Sequence, residues 1–181
     1  VINSALVSGL SGPFSVSVGD GDVYVANYGN NTIGAYNATT GAEVNSSLVT
    51  GLDGPTGVAV WDGYLFVANN SGQSIGEYNA TTGAIINASF ITTGLNYPTD
   101  VAVANGDLYV TNNNANSIGE YNATTGAVIN TALVTDLSSP YSLAVVAVPE
   151  PAEAGVLAGV WAGLVAIYAV WRKRQTVKLT V

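Results

Sequence analysis

The sequence predicts an all-β chain of about three and a half propeller-type blades, each of four strands, followed by one C-terminal transmembrane helix. Three observations carry that expectation. The heptapeptide Tyr-Asn-Ala-Thr-Thr-Gly-Ala occurs at 36–42, 78–84 and 121–127, in steps of 42 and then 43 residues. Within each step apolar and polar residues alternate with period two, as half-buried strands require. Finally, Ala154–Trp171 is an uncharged apolar stretch of 18 residues, and Arg172-Lys173-Arg174 follows it directly.

Taken in order, Ile2–Val7 matches Val44–Val49, Ile86–Ile91 and Ile129–Val134, so it reads as the fourth strand of a unit. Pro13, Pro55, Pro98 and Pro140 repeat with the same step, as do Tyr24-Val25-Ala26-Asn27, Phe66-Val67-Ala68-Asn69 and Tyr109-Val110-Thr111-Asn112. In the middle unit Thr56–Trp61 is a first strand and Asp62-Gly63 a tight hairpin turn. Tyr64–Asn69 is a second strand, and the Asn/Ser/Gly-rich Asn70–Gln73 a loop. Ser74–Asn79 is the third strand, Ala80–Gly83 turns, and Ile85–Ile91 is the fourth. Four strands in about 42 residues make one β-propeller blade. The last first strand is Tyr141–Val146, so residues 1–147 hold three blades and the two outer pieces of another. Closed propellers have about 4–8 blades, which implies truncation, with further blades and a secretory signal before Val1. The chain has no Met, so Val1 is not a natural start. The rival arrangement is a ring completed by several chains.

Residues 148–181 form a separate tail. A helix of 18 residues covers about 27 Å, near the lower limit for a hydrocarbon core. Positive charge beside a span stays on the cytoplasmic side, so Arg172, Lys173 and Arg174 orient the acidic part outward. All twelve acids lie between Asp20 and Glu153, whereas all four basic residues lie at or after position 172. Gly155, Gly159 and Gly163 are spaced to let two membrane helices approach, a candidate dimer face. The competing assignment, a buried helix of a globular domain, lacks any other core to pack into.

Composition removes several functions. Net charge is −8 with 4 Lys+Arg, which excludes nucleic acid, whose phosphates demand basic residues. Without Cys or His there is no disulfide, no thiolate and no imidazole base or ligand. No cofactor, metal or catalytic residue is expected, because no Lys or His precedes the tail to activate a hydroxyl. Asp20-Gly21-Asp22 resembles a calcium loop in miniature, but Asp62-Gly63 and Asn105-Gly106-Asp107 occupy the same place in other units, and hairpin turns explain all three. Seven Asn-x-Ser/Thr sequons, beginning at Asn30, Asn37, Asn45, Asn69, Asn79, Asn87 and Asn122, read as turn and strand-face residues. Of the carboxylates, Asp100 and Asp136 stand apart from their repeat equivalents, in what read as connecting segments. Tyr24, Phe66 and Tyr109 share one strand position and read as packing between blades. Trp61 and Tyr28 have no aromatic counterparts in the other units, which makes them the candidate ligand contacts.

The Tyr-Val-Ala-Asn and Tyr-Val-Thr-Asn strands, followed by Ile-Gly-x-Tyr-Asn-Ala-Thr-Thr-Gly, resemble YVTN-type surface propeller repeats and the related NHL repeats over about residues 2–147. Asn37, Asn79 and Asn122 replace the Asp usual before the Ala-Thr-Thr-Gly turn, a small change because both residues suit turns. Val148-Pro149-Glu150-Pro151, the apolar stretch and Arg172-Lys173-Arg174 together resemble the PEP-CTERM sorting signal of Gram-negative bacteria, although Gln175–Val181 extends beyond where such tails stop. That resemblance implies export, retention at the inner membrane through one helix, and processing by an exosortase-type transpeptidase, often beside exopolysaccharide and biofilm functions. The expected function is a non-enzymatic surface or matrix scaffold whose blades meet polysaccharide or other surface proteins. The alternative is a lyase or glycoside hydrolase with its catalytic blades upstream. An ice-binding surface ranks below both, since Thr39-Thr40, Thr81-Thr82 and Thr124-Thr125 lie in turns far apart.

Overall fold

The computed structural model describes residues 5–147 and 165–170. Blade 1 comprises β1 (Pro13–Gly19), β2 (Asp22–Asn27), β3 (Thr32–Asn37) and β4 (Glu43–Val49). Blade 2 comprises β5 (Pro55–Trp61), β6 (Tyr64–Asn69), β7 (Ser74–Asn79) and β8 (Ile85–Ile91). Blade 3 comprises β9 (Pro98–Ala104), β10 (Asp107–Asn112), β11 (Ser117–Asn122) and β12 (Val128–Val134). Each is a four-stranded antiparallel meander in chain order, and β13 (Ser142–Ala147) pairs with β14 (Val165–Val170) in a two-stranded sheet. First strands stand side by side, β1 on β5, β5 on β9 and β9 on β13.

The turn chemistry follows from the sequence. Gly19 pairs with Asp22 and Trp61 with Tyr64, leaving two-residue loops. Asp20-Gly21, Asp62-Gly63 and Asn105-Gly106 all have positive φ, 54° and 86°, 50° and 77°, 55° and 83°. Two positive φ values in succession are the type I′ turn, whose twist matches that of the strands. The Asp-Gly-Asp sequence at 20–22 is thus a hairpin. In the Ile-Gly-x-Tyr segment the glycine is demanded by close approach: a Cβ on Gly76 would lie 2.6 Å from the Tyr78 hydroxyl, and Gly34 and Gly119 meet Tyr36 and Tyr121 in the same way.

Burial departs from the expected half-buried pattern. In blade 2, Leu65 and Val67 face blade 1 while Phe66 and Ala68 face blade 3, and all four are fully buried. A blade inside an array is covered on both faces, so its second and third strands carry apolar residues without alternation of exposure. The outer strands β4, β8 and β12 are mostly exposed and bulged against their neighbours. Three clusters alternate with the blades. Tyr24, Ala26 and Ile33 meet Val58, Leu65 and Val67; Phe66, Ala68 and Ile75 meet Val101, Leu108 and Val110; Tyr109 and Ile118 meet Leu143 and Val145.

Two expectations are corrected. Ala5–Val7, the described part of the expected strand at 2–7, is not a strand, although the Leu6 carbonyl lies against Gly41 as the Leu48 carbonyl lies against Gly83. The expected transmembrane helix at 154–171 is, over its described part, the strand β14, running from Ser142↔Val170 to Ala147↔Val165 against β13. Val-Ala-Ile-Tyr-Ala-Val is rich in strand-favouring residues, and β13 offers an unpaired edge that would otherwise be left open. An apolar run of this kind suits a buried strand as well as a helix. The rest of that stretch, including Gly155, Gly159 and Gly163, lies outside the described residues, as do Val148, Pro149, Glu150, Pro151, Arg172, Lys173 and Arg174. Among the described residues no helix is long and apolar enough to cross a membrane.

Candidate functional site

The four first strands line a groove of about 530 Å³, with Phe14, Ser15, Ser17, Thr56, Asp100 and Tyr141 among its walls. Their alignment follows from the Pro series: the third residue counted from Pro13, Pro55, Pro98 and Pro140 is Ser15, Gly57, Asp100 and Ser142. These four positions converge. Ser142 donates its hydroxyl to Asp100 Oδ2 at 2.8 Å, the Leu143 N–H donates to the same oxygen at 3.1 Å, and the Val101 N–H donates to Oδ1 at 3.0 Å. Ser15 adds another side-chain hydrogen bond from blade 1. Asp100 reaches across blade 2 because position 57 is glycine: a Cβ there would stand 2.7 Å from Asp100 Cα.

Asp100 is 9% exposed. Burial pushes its carboxyl above the ordinary value, and the donors from Ser142, Leu143, Val101 and Ser15 oppose that shift without cancelling it. The group is therefore a four-donor knot joining β1, β9 and β13. It lies inside strand β9, which corrects its expected place in a connecting segment; the Pro98–Ala104 strand begins two residues earlier. The other threonines of the wall are also engaged: Thr56 donates to the Pro98 carbonyl at 3.2 Å and Thr99 to that of Pro140 at 3.1 Å. Phe14 and Tyr141, 58% and 43% exposed, stand on β1 and just before β13 at the two ends of the groove.

The sequence-derived contacts fall elsewhere. Trp61 is half-buried and packs on the cluster between blades 2 and 3, beside Val103. Tyr28 is exposed and holds its ring against Phe14, centroids 5.2 Å apart. Tyr24, Phe66 and Tyr109 are buried between blades, as their shared position implied. Burial, and then the Glu120 charge, holds the Tyr109 phenol far above its usual range. The asparagine ending each Tyr-Val-Ala-Asn segment anchors an incoming loop: Asn27, Asn69 and Asn112 accept the N–H of Ser11, Asp53 and Asn96. Thr40, Thr82 and Thr125 spend their hydroxyls on Asn37, Asn79 and Asn122. What sequence reasoning missed is the groove itself, and the signal was the variable third position after each proline.

An NHL repeat model matches residues 95–121, the stretch that contains β9, β10 and most of β11. The chain is a propeller-type repeat protein. Solved structures with the same arrangement support the propeller assignment: Saccharomyces cerevisiae Sqt1 (TM-score 0.64, 15% identity, 87% of this chain and 43% of that one). Virginiamycin B lyase from Staphylococcus aureus is similar (TM-score 0.60, 21% identity, 87% of this chain and 47% of that one). The computationally designed Ika4 protein matches over 93% of this chain and 99% of its own (TM-score 0.55, 14% identity). The propeller spans less than half the length of the two natural proteins. No curated protein matches it in sequence.

Proposed function

We propose that this propeller is a non-enzymatic interaction scaffold, exported to the surface or extracellular matrix of a Gram-negative cell, whose central groove takes a neutral polysaccharide. The observation that carries this reading is the groove's chemistry: aromatic rings at both ends, serine hydroxyls between them, and a single carboxylate tied into the fold by its donors. Aromatic faces and hydroxyls suit sugar rings, and a chain without Lys or Arg among its described residues repels an acidic polymer. Sorting rests on Val148-Pro149-Glu150-Pro151 and Arg172-Lys173-Arg174, which resemble an exosortase substrate.

Two experiments test the two halves. Affinity electrophoresis through gels containing neutral or acidic polysaccharide should retard the wild type in the neutral gel only, and Tyr141→Ala should restore mobility. Equal mobility in all gels would sink the ligand assignment. Intact mass of the protein recovered from cells and medium should show loss of the residues after the Val-Pro-Glu-Pro motif. Unprocessed chain confined to the cytoplasm, unaffected by Glu150→Ala, would sink the sorting assignment. The alternative, a lyase or glycoside hydrolase, has the raised Asp100 carboxyl on its side. Against it, the groove wall offers no second carboxylate, which acid–base glycosidase chemistry needs, and the other buried one, Glu77, lies on β7 outside the wall.

A further inference from the structure

The residue before each repeated proline is Gly12, Gly54, Tyr97 or Ser139, and all four have positive φ: 55°, 64°, 52° and 47°. The position belongs to the loop that enters a blade. Its carbonyl accepts the N–H of the residue just after the second strand: Tyr28 on Gly12, Asn70 on Gly54 and Asn113 on Tyr97. Such a left-handed backbone suits glycine, whereas a bulky side chain is strained there because its Cβ crowds the following carbonyl. At Gly54 a Cβ would also collide with Ser71 Oγ. Blade 3 nonetheless carries a tyrosine.

The core does not use that ring. Tyr97 is 43% exposed and belongs to none of the three apolar clusters, whereas Tyr24 and Tyr109 are buried between blades. It stands in the middle of the array, where blade 2 meets blade 3. The Asn70 side-chain amide donates to the Pro98 carbonyl at 3.0 Å, and the Asn113 N–H donates to the Tyr97 carbonyl at 3.1 Å. The Asn114 N–H donates to the Asn96 carbonyl at 3.3 Å, so Asn96 and Asn114 lie beside Tyr97 on the paired loops. Both are exposed, and a carboxamide offers hydrogen-bond donors and an acceptor. Thr99, a wall residue of the central groove, is two positions on, so its Cα lies within about 7 Å of that of Tyr97.

We propose that Tyr97, with Asn96 and Asn114 beside it, is a stacking subsite for one sugar ring of a neutral polysaccharide. Strained residues persist where their surroundings fix them, and they gather at binding sites. An aromatic face suits the apolar face of a sugar ring, and neighbouring carboxamides suit its hydroxyls. The loop bearing Asp136 is bonded to Asn116 on the same side of blade 3. With that carboxylate close by and no basic residue among the described ones, an acidic polymer is repelled. The subsite rests on the reading of the groove as a polysaccharide site, and extends that site from the first strands onto the loops of blades 2 and 3.

Tyr97→Gly is the direct test, because glycine removes the ring and relaxes the backbone together. Affinity electrophoresis of the full chain through galactomannan, xyloglucan and hydroxyethyl cellulose gels, with alginate as the acidic polymer, reads the binding. In the neutral gel that retards the wild type, Tyr97→Gly should bind roughly two- to tenfold more weakly. Tyr97→Trp should bind as the wild type does or more tightly. Tyr97→Asn, also at ease with positive φ, should lose as much as Tyr97→Gly, so that a folding defect in one variant does not decide the matter. Thermal melting of Tyr97→Gly should stay within about 4 °C of the wild type, since relief of strain offsets the lost ring contacts. Binding lost by Tyr141→Ala and kept by Tyr97→Gly would overturn the subsite and leave the groove reading standing. Binding lost by Tyr97→Gly and kept by Tyr141→Ala would support the subsite and overturn the groove. Equal mobility of the wild type in every gel would overturn both, and retardation by alginate alone would overturn the neutral ligand.

Discussion

Adding one methyl at Gly57 should separate two kinds of tight contact between blades. A Cβ there would stand 2.7 Å from Asp100 Cα, with the Asp100 carbonyl carbon and Oδ1 both at 3.1 Å. The obstacle is backbone in a strand hydrogen-bonded to β10, so relief requires β5 and β9 to part. Overpacking of this kind costs about 1–3 kcal/mol. Removing a glycine from the unfolded chain returns about 0.4–1 kcal/mol, leaving a net loss of up to about 2.6 kcal/mol. For a chain of this size that is at most about 10 °C in Tm. Gly19→Ala is the matched control: its Cβ would meet Val60 Cγ1 at 2.6 Å, the end of a half-buried side chain that can turn away. There the clash and the entropy gain nearly offset, and stability stays within about 0.5 kcal/mol of wild type. Urea and thermal denaturation followed by circular dichroism measure both. If Gly19→Ala proves more damaging than Gly57→Ala, the convergence of first strands on Asp100 is wrong.

The remaining predictions are smaller experiments. Because burial raises the native pKa of Asp100 above its ordinary 3.8, the folded state keeps a proton that the unfolded chain has released. Its contribution is thus complete below 3.8 and is lost as pH rises through the native value. Urea midpoints measured from pH 3 upward should fall more steeply for wild type than for Asp100→Asn; Glu77, also raised by burial, contributes equally to both. Parallel curves would refute the assignment. Asn79 Oδ1 accepts the Thr81 N–H, the Thr82 N–H and the Thr82 hydroxyl at 3.1, 2.8 and 2.9 Å. Asn79→Ala should lower stability by about 0.5–1.5 kcal/mol, while Asn79→Asp, which accepts the same donors, should cost little in the same denaturation assay. A loss for Asp equal to that for Ala would show that the turn is not held by this oxygen.

Much of the fold was legible because it is local and repeated. Asp62-Gly63 can adopt two positive φ values in succession and little else suits a two-residue hairpin, so the boundaries of Tyr64–Asn69 and Ser74–Asn79 could be placed to the residue. The buried role of Tyr24, Phe66 and Tyr109 was legible from their shared register. Trp61 was not legible as a packing residue, because its neighbours Val101 and Val103 are some forty residues away and nothing in the local pattern points to them. The stretch from Val165 to Val170 misled for a related reason. Its apolar residues satisfy a helix or a strand equally, and the choice depends on the open edge of β13.

The sequence by itself determined the repeat, the four strands of each blade, their turns, and the acidic, cysteine-free and histidine-free chemistry that removes most catalytic options. Those properties reside in neighbouring residues, and backbone sterics and hydrogen bonding act there at short range. Only the tertiary structure decided which four positions meet at Asp100, which tyrosines are covered and which lie bare, and where the groove runs. Each of those depends on strands separated by a full repeat lying side by side. A repeat announces its period along the chain, but the faces it buries are settled by what stacks against it.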